Sequence, residues 1–166
     1  MPRLHAFELV PDEAGRDAVL RDWQALRDAG LPSQLDHRGM TNTPHVTLLA
    51  GERLPPDEEA VALLAPLLPA RVRVAGVLLL GGARVTVARA LDVDDAVLAA
   101  VLRLRAGAGE LQHRGWLPHL TLGRRIPRSR VDAAVAAVGH ADVELVLTGL
   151  RRWDPDSGTV TTLAVR

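Results

Sequence analysis

The chain runs through one succession of elements twice. "LHAFELV" (4–10) reads as a strand, and "PDEAGRDAVLRDWQALRDAG" as a helix opened by Pro11 and two acids and closed by Gly30. Val19, Leu20, Trp23 and Leu26 recur there at the helical period. A polar stretch leads to the strand "PHVTLLA", the helix "PPDEEAVALLAPLL" and the strand "RVRVAGVLLL". The order then returns: strand "ARVTVARAL" (83–91), helix "DVDDAVLAAVLRLRAGAGEL", strand "PHLTLG", helix "SRVDAAVAAVG", strand "DVELVLTGLRRW". After the turn "DPDSG", a last strand, "GTVTTLAVR", ends it.

The repetition extends to individual residues. "PHVTLL" at 44–49 matches "PHLTLG" at 118–123, and Gly76 aligns with Gly149. "LDHRG" (35–39) is echoed by "LQHRG" (111–115). A duplicated βαβαβ unit predicts one domain, residues 1–166, of two pseudo-symmetric lobes at roughly 1–81 and 82–166. With 166 residues and 48% apolar composition, such a chain can bury a substantial core. Aromatics are scarce (Phe7, Trp23, Trp116 and Trp153), so that core must be built of Leu, Val and Ala.

Composition excludes several chemistries. Every one of the 20 basic residues is Arg, which rules out a P-loop lysine, Schiff-base catalysis and a lysyl–AMP ligase. There is no Cys, hence no disulfide, thiolate metal site or cysteine nucleophile. Twenty acids balance the twenty bases, which favours a small anionic ligand over duplex DNA. No apolar run is long enough to span a membrane, and "MPRLHAFELV" lacks a secretory apolar segment. The expectation is a cytoplasmic monomer without membrane contact.

Strand residues alternate faces, so His45 and Thr47 share one face and His119 and Thr121 share another, with apolar residues behind. Pro44 and Pro118 stand at the strand starts, where a missing N–H is tolerated. A single His-x-Thr on a strand is usually a polar patch. Two copies with shared flanks, in matching places of a repeat, point to a joint site. Two imidazoles beside one phosphate supply acid–base phosphoryl chemistry: one accepts the nucleophile's proton and the other donates to the departing oxygen. The threonine hydroxyls can bind the non-bridging oxygens.

The pair "PHVTL" and "PHLTLGR" resembles the signature of the 2H phosphoesterase superfamily, which includes LigT-like 2′-5′ RNA ligases and cyclic nucleotide phosphodiesterases. The resemblance covers nearly the whole chain. It implies an α+β bilobal fold with two antiparallel sheets around a central cleft. It implies action on 2′,3′-cyclic nucleotides, RNA 2′,3′-cyclic phosphate ends or 2′-5′ linkages, with no cofactor and no metal. His45 and His119 would be the acid–base pair, with Thr47 and Thr121 on the phosphate. Arg124 would also contact the phosphate, although strict alternation favours Arg125; a bulge at Gly123 would turn Arg124 inward. The first motif runs on into Leu49 and Ala50, so the site is predicted to be asymmetric. Alternatives are a binding module for nucleotides or RNA ends, and a reversible 2′-5′ RNA ligase.

Other residues carry plainer readings. Phe7 and Trp153 are candidates for a nucleobase contact or the cleft wall, with a core or edge role the alternative for each; His5 shares the Phe7 face. His37, Arg38, His113 and Arg114 read as exposed loop residues. His140 follows a predicted helix end, where positive charge is favourable. No His-x-x-x-His or Cys/His cluster suggests zinc.

Overall fold

A computed structural model describes residues 3–39, 41–139 and 143–166. The first unit is β1 (His5–Pro11), α1 (Glu13–Asp28), β2 (Val46–Gly51), α2 (Asp57–Leu64) and β3 (Ala70–Gly81). The second is β4 (Arg84–Asp92), α3 (Asp95–Ala106), β5 (His119–Pro127), α4 (Val131–Val138) and β6 (Glu144–Asp154), followed by β7 (Thr159–Val165). Every element expected from the sequence is present. His140 lies outside the described residues.

Local chemistry sets the boundaries. Asp12 caps α1, its carboxylate accepting from the Gly15 N–H at 2.8 Å. Gly30, at φ +67°, turns the chain into the left-handed region after the helix, and the Leu31 N–H reaches back to the Leu26 carbonyl at 3.0 Å. Val19, Trp23 and Leu26 are buried on one face of α1. In α3, Asp95 sits in the first turn and Arg103 and Arg105 in the last, matching the helix dipole.

The strands run in the order β2-β1-β6-β3-β4-β5, with β7 also on β6, and every pairing is antiparallel. Exchanging β1 with β4, β2 with β5 and β3 with β6 leaves that order unchanged. Each unit's third strand is bonded to the other unit's first: β3 to β4, and β6 to β1. The two antiparallel sheets expected are therefore one seven-stranded sheet. The reason is the central pair: β6 bonds to β3 over Glu144–Leu147 and to β1 over Leu147–Trp153. Hydrogen bonding thus continues from one half to the other.

β2 and β5 stand at opposite ends of this order, yet they touch, so the sheet coils until its edges meet. One sheet face carries Phe7, Leu9, Val46, Val85, Val87 and Leu120, fully buried with Trp23, Leu26, Val101 and Leu104 from the helices. Burying that face leaves the opposite one, with both histidines, for a cleft. None of the described helices is long and apolar enough to cross a membrane.

Candidate active site

The two motif strands meet at a cleft of about 540 Å³. His45, Thr47, His119, Thr121 and Arg124 all line it. In β2 and β5 the alternation is as the sequence suggests: Val46 and Leu48 are buried while Thr47 is half-buried, and Leu120 and Leu122 are buried while His119 and Thr121 are half-buried. His45 lies one residue before β2, and His119 opens β5.

Both imidazoles are held the same way. His45 Nδ1 is 2.8 Å from the Thr43 carbonyl, and His119 Nδ1 is 2.6 Å from the Leu117 carbonyl, each two residues back across the proline. A carbonyl can only accept, so Nδ1 carries the hydrogen in both rings, and Nε2 is the nitrogen left for chemistry. The motif threonines are anchored through their backbones. Trp116 donates its indole N–H to the Thr47 carbonyl, and Trp23 donates to the Thr121 carbonyl, each at 3.0 Å.

A bulge follows each motif at the same place. Phe7 pairs with Leu49 and Glu8 with Thr47, leaving Leu48 as the extra residue; Val87 pairs with Gly123 and Ala88 with Thr121, leaving Leu122. The extra residue shifts the alternation by one. Arg124 therefore reaches the cleft, and its counterpart in the first copy, Ala50, lines the cleft too. Gly123 is required at the bulge because a Cβ there would press on the Pro32 carbonyl and lie 3.0 Å from Leu26 Cδ1.

The remaining wall comes from the segment after α3. Gln112, His113, Gly115, Trp116 and Leu117 line the cleft. Arg105 stitches this segment to β2, donating from Nη1 to the Leu48 carbonyl at 2.6 Å and from Nη2 to the His113 and Gly115 carbonyls. Burial lowers the pKa of its guanidinium, and Nε has no hydrogen-bond partner among the described residues. Residues 31–39 and 41–43 do not line the cleft.

A model of the 2′-5′ RNA ligase superfamily matches residues 11–165. The chain belongs to that superfamily, the 2H phosphoesterases. Among solved structures, Usb1 of Kluyveromyces marxianus is 13% identical, with 98% of each chain covered and a TM-score of 0.52, which is a likeness of fold. E. coli LigT in its apo form is 18% identical over 99% of this chain and 95% of that one, at a TM-score of 0.47. No curated protein matches the sequence.

Within this 2H fold, three cleft candidates fall elsewhere. Phe7 is fully buried in the core, because alternation places it on the face opposite Thr47's partner Glu8. Trp153 pairs with Ala6 and Val160, half-buried and beyond the cleft wall. Arg125, at φ +60°, carries the second irregularity of β5 and is absent from the lining. His5 faces Asp154 and Asp156 at 3.6 and 3.3 Å. Those three form the metal-type cluster found among the described residues, and none of them lines the cleft.

Sequence reasoning missed Glu8, Arg105, Arg151 and the place of His113. Glu8 is 5% exposed and lies beside His45, with its Oε1 3.4 Å from His45 Nε2. Its Oε2 accepts from Arg151 Nε at 2.7 Å, and Arg151 Nη1 donates to Thr43 Oγ1 at 2.6 Å. One signal was available: a lone acid inside the apolar strand "HAFELV" demands a buried partner.

Proposed function

We propose that the protein is a metal-independent phosphoesterase that hydrolyses a cyclic phosphodiester, such as a 2′,3′-cyclic nucleotide or an RNA 2′,3′-cyclic phosphate end. Membership of the 2H phosphoesterases supports the reaction class. The observation that carries the reading is the matched pair of His–Thr units, brought from opposite ends of the sheet to one cleft, with neither Nε2 bonded to backbone among the described residues.

One Nε2 takes a proton from water as its oxygen attacks phosphorus. The other donates a proton to the ribosyl oxygen as its P–O bond breaks, leaving a phosphomonoester. The Thr47 and Thr121 hydroxyls and the Arg124 guanidinium bind the non-bridging oxygens, where charge builds in the transition state. A 2′-5′ ligation is the same chemistry with a ribose hydroxyl in place of water: the hydroxyl attacks the cyclic phosphate, one ring P–O bond breaks, and the departing ribosyl oxygen takes the proton.

The test is turnover of a panel of 2′,3′-cyclic nucleotides with EDTA present. His45→Ala and His119→Ala should each lose about 100-fold or more in kcat while melting like the parent. The parent's rate should follow a bell against pH. Full activity in either variant overturns the assignment.

A further inference from the structure

The duplication makes the site's two halves comparable position by position, and beside the histidines they differ. The residue paired with Thr47 across the sheet is Glu8, and the one paired with Glu8 is Arg151. In the other half, Thr121 pairs with Ala88, and Ala88 with Leu78. A buried carboxylate–guanidinium pair thus stands behind His45 where an apolar pair stands behind His119. Thr43, His45, Glu8 and Arg151 close a ring: the Thr43 carbonyl holds the imidazole and the Thr43 hydroxyl accepts from Arg151.

We infer that Glu8, clamped by Arg151, is a positioning residue that commits His45 to donating the proton and leaves His119 to accept one. The inference rests on the phosphoesterase reading above. Both ring nitrogens of His45 face oxygen acceptors, the Thr43 carbonyl and the Glu8 carboxylate. An imidazole that carries hydrogens on both nitrogens presents one to each of them. His119 has one such acceptor, the Leu117 carbonyl, and its Nε2 has no described protein partner. The 3.4 Å separation is longer than a firm hydrogen bond, so the carboxylate holds the charge without consuming the proton. The other charged or titratable groups around His45 are the clamped Arg151 and, along the cleft, Arg105, His113, His119 and Arg124.

The step balances. Water's proton goes to His119 Nε2 as the new P–O bond forms. The bond from phosphorus to the ribosyl oxygen breaks, and that oxygen takes the Nε2 proton of His45. Exchange with solvent restores both rings.

The experiment compares a 2′,3′-cyclic nucleotide with its analogue bearing sulfur in place of the departing oxygen, since a thiolate leaves without needing a proton. Glu8→Gln should lower kcat on the oxygen ester about tenfold or more and His45→Ala about 100-fold or more. Both should recover to within about threefold of the parent on the sulfur ester, as expected when only the donor is lost. His119→Ala should remain inactive on both. The double variant E8A/R151L, which copies the Ala88 and Leu78 packing of the other half, should behave like Glu8→Gln and keeps the test open if the single variant does not fold.

Equal losses on both esters for Glu8→Gln, or sulfur rescue of His119→Ala instead of His45→Ala, overturns the inference. A second readout needs no turnover: diethylpyrocarbonate labelling mapped by mass spectrometry. His119 should label faster than His45, and Glu8→Gln should speed His45 alone. An inactive parent overturns the phosphoesterase reading, while His45 labelling unchanged in Glu8→Gln overturns the coupling to Glu8.

Discussion

Arg124 and Arg125 are adjacent, and one bulge separates their fates. The extra residue Leu122 moves Arg124 onto the His119 face, while Arg125 turns away at φ +60° and its carbonyl accepts from Arg84. Arg124→Ala should therefore lower kcat/KM for a cyclic nucleotide by about 100-fold, and Arg125→Ala should leave it within about twofold, a contrast that steady-state kinetics reads directly. The histidines and threonines were legible in the sequence because period-two alternation carries side-chain direction; Arg124 was legible only through the family resemblance and a bulge at Gly123, since strict alternation favours Arg125. Glu8 was visible as an acid out of place, but its partners come from β2 and β6, far along the chain.

The elements follow from local rules, and their exceptions from contacts between elements. Asp36 shows the local case. Its carboxylate accepts from the Ser33 N–H at 2.8 Å in a capping box and lies beside Arg27, and it is held below its ordinary pKa, first by that backbone bond and then by Arg27. A depressed carboxylate stabilises the folded state above the unfolded value of about 4 and loses that contribution as pH falls through the folded one. The difference in urea midpoint between the parent and Asp36→Asn should be constant at neutral pH and shrink progressively on acidification below about pH 4. Gly123 is the opposite case: nothing near it in the chain demands glycine, but the Pro32 carbonyl packs against it. Gly123→Ala should cost about 2–3 kcal/mol, measured by chemical denaturation, and should lower activity by displacing the bulge that aims Arg124.

At the scale of the molecule, the decisive feature is that the halves exchange strands. β6 bonds to β1 and β3, so neither residues 1–81 nor 82–166 hold a complete set of paired strands. Separate fragments cut in the β3–β4 hairpin should each show no cooperative thermal transition, and an equimolar mixture should restore one, monitored by circular dichroism. Arg89 adds a further tie. It is buried, paired with Asp22 of α1 at 3.0 Å, and donates to the Val138 and Gly139 carbonyls at the end of α4. Arg89→Ala should cost about 3–5 kcal/mol, because it leaves a carboxylate and the helix-end carbonyls unpaired.

The sequence by itself determined the succession of elements, the duplication and which residues share a strand face. These depend on neighbours within a few positions and on periods of 2 and 3.6 residues. Tertiary structure alone decided that the sheet is continuous, that its end strands β2 and β5 meet, and that the two histidines share a cleft. It also decided their inequality. "PHVTLL" and "PHLTLG" are chemically alike, and what distinguishes His45 from His119 is what pairing across the sheet places behind each: Glu8 and Arg151 for one, Ala88 and Leu78 for the other.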